Sequence, residues 1–214
     1  MESAGVLGSA VGLAAGLTRV RDAETGAHLD RVTRYARLVA ETLAPAEDLE
    51  PGFIDDLAAL APAHDVGKLA IPDQILLKQG ALDPAELEIM RGHVASGVAV
   101  VEDLVKAFDL EGSPRVRMLR NIVRAHHESL DGSGYPFGLK GEAIPLEARI
   151  ISVADVFDAL TSERPYKRTW TTDAAFAFLE AQRGTRFDAA CVAALQSRRP
   201  EVESIRRGFP EAAP

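Results

Sequence analysis

The sequence predicts an all-α, single-domain helical bundle, and three observations carry that prediction. Apolar residues recur at three- and four-residue intervals along most of the 214 residues, the period of an amphipathic helix. Proline and cap residues punctuate those stretches where helices start or stop. No segment alternates apolar and polar residues between turn signals, and no segment repeats another.

The apolar, Gly/Ala-rich stretch from Ala4 to Leu17 reads as a first helix packed on its own domain. At about 14 residues it is shorter than the ~20 that cross a bilayer, and it lacks the basic start of a secretory signal. It could instead have been continuous with an upstream sensor module. From Ala23 to Leu43, the residues Val32, Tyr35, Ala36, Val39 and Leu43 form an apolar stripe that Pro45 ends. A Leu/Ala-rich segment from Gly52 to Ala63 leads into His64. Asp83-Pro84 is an N-cap followed by proline at the first helical position, and opens a helix expected to run to Phe108. Ser113-Pro114 repeats the signal for a helix that carries Leu119, Ile122 and Val123 up to His126. Further helices are expected from Leu146 to Leu160, Thr172 to Arg183 and Asp188 to Ser197. Residues 1–20 are thus an N-terminal helix, 21–199 the functional domain, and 200–214 a polar tail expected to fray.

Composition narrows the function. The chain is 47% hydrophobic, with 24 basic against 32 acidic residues and a net charge of −8. An acidic balance argues against an extended phosphate-binding surface, so no nucleic-acid polymer is expected as partner, and no membrane insertion either. Cys191 is the single cysteine, which forbids an intrachain disulfide and a thiolate zinc site and fits a cytoplasmic protein. Any metal must be held by His, Asp and Glu.

The five histidines each stand beside an acid, another histidine or a core-facing stripe. Glu24 and His28, four apart, share a helix face with Val32, Tyr35 and Val39, where a carboxylate and an imidazole need a cation unless that first turn is solvated. His64-Asp65 supplies a nitrogen and a carboxylate that can bridge two ions, with Lys68 one turn later able to meet a phosphate oxygen. His93 precedes Gly97 by four residues, leaving backbone room for a close approach. His126-His127 extends the stripe of Ile122 and Val123, and Asp155 continues the apolar face of Ile151. Singly each has an ordinary explanation as a hydrogen-bonded core residue. Together they offer nitrogen and oxygen donors for Fe, Mn or Zn in a number that implies two or three divalent ions.

HDVGK, His93, HHESLDGSGYP and ADVFDALTSERPYKR together resemble the HD-GYP branch of the HD superfamily of metal-dependent phosphohydrolases, over about residues 21–188. The resemblance implies a five-helix HD core with flanking helices, a bi- or trinuclear centre with Fe or Mn most favoured, and hydrolysis of cyclic di-GMP to linear pGpG and on to GMP. It implies metal ligands at His64, Asp65, His93, His126, His127 and Asp155, with Glu24 and His28 as ligands to a third ion. Lys68, Arg164 and Lys167 would contact substrate phosphates, with Asp65 and Lys68 the catalytic pair and Gly134, Tyr135 and Pro136 the GYP segment. Ala63 where a leucine is common, and Ser129-Leu130 before DGSGYP, are departures that touch no ligand.

The chemistry stands on its own terms too. Two ions about 3.5–4 Å apart lower the pKa of a bridging water and neutralise charge on the phosphoryl oxygens, with Asp65 and Glu24 placed to bridge. The glycine-dense loop from Asp131 to Gly141 is a substrate lid with Tyr135 as a stacking face, a partner surface or a plain surface loop. The resemblance adds GGDEF-type diguanylate cyclases and an upstream sensor or receiver domain as partners. Two other readings differ in class. A catalytically silent cyclic di-GMP-binding module would show no turnover with Mn or Fe(II), and a di-iron oxygenase would have no use for Lys68, Arg164 and Lys167.

Overall fold

The helix Thr25–Leu43 (α2) is the axis around which the others assemble, because its stripe of Val32, Tyr35, Ala36 and Val39 is entirely buried. The computed structural model describes residues 2–21, 25–162 and 169–210. Before α2 comes Glu2–Arg21 (α1), and after it Phe53–Leu60 (α3), the single turn Asp73–Leu76 (α4), Pro84–Arg91 (α5), His93–Ala107 (α6) and Pro114–Ala125 (α7). Leu146–Thr161 (α8), Thr172–Ala181 (α9), Ala189–Ser197 (α10) and Arg199–Gly208 (α11) complete the bundle. Among the described residues the one extended pairing is an isolated bridge between Arg183 and Phe187, so the architecture is all-helical as expected.

α2 packs on α8, α3 and α10, and α7 closes the far side against α6 and α8. Tyr35 meets Phe157 edge to face with ring centroids 5.3 Å apart, and Leu119, Ile122 and Ile151 are buried in the same core. Each such side chain contributes about 1.5–3 kcal/mol by leaving water. Cys191 and Trp170 pack in or against this core. α1 lies across the 3-10 turns Ala61–Ala63 and Val66–Ala70, the segments that flank the HD pair. Arg21 secures it by donating to the carbonyls of Leu69 and of Ile71, the latter at 2.9 Å, and to Asp73 Oδ1 at 2.5 Å.

Three local expectations change. The helix expected from Asp83 to Phe108 is two helices that break at Gly92, where an added Cβ would stand 2.9 Å from the Ile89 carbonyl oxygen. The Asp83 capping box does form, with Asp83 Oδ1 accepting from Ala85 N and Glu86 N at 2.9 Å each. The helix expected to reach Ala63 gives way after Leu60 to a 3-10 turn containing Pro62, so His64 leaves the helical axis. Residues 200–208, expected as frayed tail, form most of α11, whose Val202 is fully buried.

Candidate metal centre

Two backbone approaches bring the histidines together. A Cβ on Gly67 would stand 1.8 Å from the His93 carbonyl oxygen and 2.3 Å from Gly97 N, so only glycine lets the turn after the HD pair lie directly against the start of α6. His126 and His127 follow immediately from the C-terminal end of α7, whose Ile122 and Val123 are buried. The result is a continuous run of all five histidine rings, with neighbouring centroids from 4.0 Å (His126 to His127) to 5.7 Å (His93 to His126).

The ring orientations are ordered. His64 Nδ1 faces its own Ala61 carbonyl at 2.9 Å, His93 Nδ1 the Met90 carbonyl at 2.7 Å, and His126 Nδ1 the Ile122 carbonyl at 3.0 Å. A carbonyl only accepts, so each Nδ1 carries a proton, and in the neutral ring each Nε2 keeps its lone pair. Those three Nε2 atoms and Asp65 Oδ1 are buried without a hydrogen-bond partner. Such atoms are costly to bury.

Asp65 stands among them. Its Oδ1 lies 3.3 Å from His93 Nε2 and 3.6 Å from His126 Nε2, while its Oδ2 lies 3.4 Å from His64 Nε2 and 2.8 Å from Lys68 Nζ. Two groups of donor atoms, each within 4.8 Å of one another, result: Asp65 with His93, His126 and His127, and Asp65 with His28 and His64. The shared carboxylate turns one oxygen to each group. Asp155 borders the second group, its Oδ1 3.6 Å from His28 Nε2. Lone pairs of imidazole and carboxylate that converge in this way fit divalent cations, and the thiolate-free set suits Fe, Mn or Zn.

The electrostatics agree for Asp65, His93 and His127, whereas the adjacent carboxylate draws His64 toward the protonated ring. Burial alone would raise the Asp65 carboxyl, but the Lys68 ammonium and His64 hold it well below the ordinary carboxylate value. Burial alone would lower His64, yet the Asp65 carboxylate pushes it up to about 9. Burial depresses His93 and, with help from His126, His127 also, which favours the neutral imidazole that can donate a lone pair.

The loop after the double histidine is tied to it. Tyr135 stacks on the His127 ring at 4.7 Å between centroids and 24° between planes, and Tyr135 N donates to the His127 carbonyl at 3.2 Å. Arg91 lies 5.1 Å from the Tyr135 ring centroid. A Cβ on Gly134 would meet Ser129 N at 2.3 Å, so this glycine allows a backbone crossing. Glu128, buried behind the loop, accepts from Phe137 N at 2.7 Å and Leu139 N at 2.9 Å. The loop expected as a substrate lid, a partner surface or a plain surface loop is braced beside the centre, and Tyr135 lays one face on His127. Glu24, Arg164 and Lys167 lie outside the described residues.

Sequence reasoning missed Asp158 and Arg31. Asp158 is fully buried, accepts from Arg31 Nε at 2.6 Å and Nη2 at 2.9 Å, and faces His28 Nδ1 at 2.8 Å. Burial would raise its carboxyl, but these hydrogen bonds hold it below the ordinary value. The signal was available: Ile151, Asp155 and Asp158 recur at the four- and three-residue steps of one helix face.

Known proteins resemble this chain in sequence and in fold. The HD domain family model matches residues 23–191. The response regulator RpfG of Xanthomonas campestris pv. campestris, a cyclic di-GMP phosphodiesterase, is 49% identical over 193 residues, covering 90% of this chain and 48% of its own length. A 3'3'-cGAMP-specific phosphodiesterase 2 of Vibrio cholerae is 39% identical over 197 residues, covering 92% and 36%. The solved HDG"Y"P protein Bd1817 of Bdellovibrio bacteriovorus superposes with a TM-score of 0.63 at 20% identity, over 84% of this chain and 53% of its own, and supports the fold alone. The chain spans about half or less of these relatives. It belongs to the HD domain family, in its HD-GYP branch.

Proposed function

We propose that this domain hydrolyses cyclic di-GMP, opening the ring to linear pGpG and continuing to GMP. The observation that carries the reading is the Asp65 carboxylate, one oxygen turned to each of two donor groups, an arrangement suited to a pair of ions on one phosphodiester. His93, His126, His127 and Asp65 would hold one ion, and His64, Asp65 and Asp155 a second. His28 and Glu24 would complete a third. Iron or manganese under reducing conditions is the proposed metal. Bound ions would supply Lewis acidity that activates a water and neutralises charge on the phosphoryl oxygens.

The protein's own groups have distinct work. Lys68, now paired with Asp65 at 2.8 Å, sits one turn from the shared carboxylate, where its ammonium can turn to a phosphate oxygen. Arg164 and Lys167 are proposed for the remaining phosphate charge, since neither can ligate a metal at neutral pH. Tyr135 and Gly134 form the wall beside His127 and limit how a guanine can approach. GGDEF-type diguanylate cyclases and an upstream sensor or receiver module are the proposed partners.

The test is turnover by the intact chain, purified anaerobically with Fe(II) or Mn(II), of cyclic di-GMP alongside 3'3'-cGAMP, with metal counted in the same sample. Expected is production of pGpG and GMP from cyclic di-GMP with two or three ions per chain. Tight binding without turnover would establish the silent-module alternative. Oxygen consumption with a neutral organic substrate, and no phosphodiester cleavage, would establish the oxygenase.

A further inference from the structure

His28 is oriented differently from the other rings. His64, His93 and His126 each lean on a backbone carbonyl three or four residues earlier, whereas His28 Nδ1 meets a side chain 130 residues away, Asp158 Oδ2 on α8. That carboxylate also accepts from Arg31 Nε and Nη2 and from Ser162 Oγ at 3.0 Å. With every other contact a donor, the 2.8 Å contact is satisfied by a proton on His28 Nδ1. The lone pair is left on Nε2, the side of the ring facing Asp155. Asp155 and Asp158, three apart on α8, therefore bracket the imidazole: one on the donor side, one behind it.

We propose that Asp158, braced by Arg31, is the positioning residue for the His28 side of the centre: it holds the ring in the Nδ1–H form and so governs how tightly the ion on that side is kept. The proposal rests on the reading of His28 as a metal ligand. A carboxylate behind a ligating histidine fixes its tautomer and raises the basicity of the free nitrogen. Arg31 is itself anchored, donating through Nη1 to the Phe209 carbonyl at 2.7 Å, while the Arg34 guanidinium lies 4.1 Å from the Phe209 ring centroid. The end of α11 thus reaches the same carboxylate, and the C-terminal helix becomes part of the support of the centre.

Asp158→Asn separates this role from bulk packing. Arg31 donates to both carboxylate oxygens, Nε to Oδ1 and Nη2 to Oδ2, so in either orientation the amide NH2 opposes one Arg31 donor, and the ring loses the negative charge that holds its Nδ1 proton. Long-range 1H–15N NMR of the intact chain after chelation should show His28 as Nδ1–H in the parent and as a mixture with the Nε2–H form in the variant. Titration with Mn(II) should show the weakest-bound ion loosened by roughly tenfold to a hundredfold, with helix content by circular dichroism unchanged. A parent His28 in the Nε2–H form overturns the proposal without any variant. If His28→Ala loosens Mn(II) and D158N does not, the positioning role fails and the ligand reading stands. If His28→Ala leaves Mn(II) affinity at the parental level, the ligand reading fails and the proposal with it.

Discussion

The two halves of the candidate centre are built by different means. On one side His93 and His126, and at the junction His64, are oriented by carbonyls within a turn of their own backbone. On the other side His28 is oriented by a buried ion pair between Arg31 of α2 and Asp158 of α8, with Arg31 anchored on the Phe209 carbonyl just after α11. A backbone carbonyl is present wherever a helix turn is, so the first kind of support forms with the local chain. A buried Asp–Arg pair exists only when two distant elements have docked, and removing one partner leaves a charge that costs about 3–5 kcal/mol. The difference teaches that the shared carboxylate core should be robust and the His28 side separable from it.

The heaviest test of that comparison removes what both halves share. Asp65→Ala is expected to abolish turnover and to lower bound metal sharply, with helix content nearly intact by circular dichroism. Parental metal content and turnover in that variant would refute a shared carboxylate.

Removing the distant half alone should be milder. The double variant Glu24→Ala/His28→Ala is expected to hold two ions where the parent, made under iron- or manganese-replete reducing conditions, holds three, with residual activity from the remaining pair. Elemental analysis that finds two ions in the parent would dissolve the third position.

Arg164→Ala should disturb neither half. A hydrogen bond to a charged phosphate is worth roughly 1.5–3 kcal/mol, so kcat/KM should fall about tenfold to a hundredfold. Metal counting on the same preparation should match the parent, and a parallel loss of metal would show that the residue supports the centre.

The smallest effect is on the seam that joins the HD turn to α6. Gly67→Ala places a Cβ against the His93 carbonyl oxygen and should cost about 1–3 kcal/mol by forcing the two backbones apart. Thermal melting should report it as a shift of about 2–4 °C for each kcal/mol, together with weaker Mn(II) binding through His93. A variant that melts with the parent would show that the seam is not tight.

Much of this was legible before any coordinates. The apolar period placed α2, α7 and α8, Asp83-Pro84 marked the start of α5 to the residue, and the donors were named as well, His64 and Asp65 from their adjacency before Gly67-Lys68, His93 from the nearby Gly97, and His126 and His127 from the stripe of Ile122 and Val123. The break at Gly92 was not legible, because an isolated glycine inside a helical pattern is tolerated unless a neighbouring backbone comes close. Nor was α11, whose composition is polar and whose burial depends on the single stripe of Val202 and Ile205 finding the core.

What the sequence determined by itself is the inventory and its local frame: which helices form, which side chains can donate to a cation, and which carbonyls orient three of the five rings. These depend on interactions over three or four residues, and a linear pattern carries them. The tertiary structure alone decided that Asp65 turns one oxygen to each donor group, that Gly67 lets α6 lie on the HD turn, and that Asp158 and Arg31 stand behind His28. Those contacts join residues from 26 positions apart, as Gly67 and His93, to 130, as His28 and Asp158. No local periodicity encodes such distances; the packing of α2 against α8 does, because burying their apolar stripes brings the polar residues of the same faces into register.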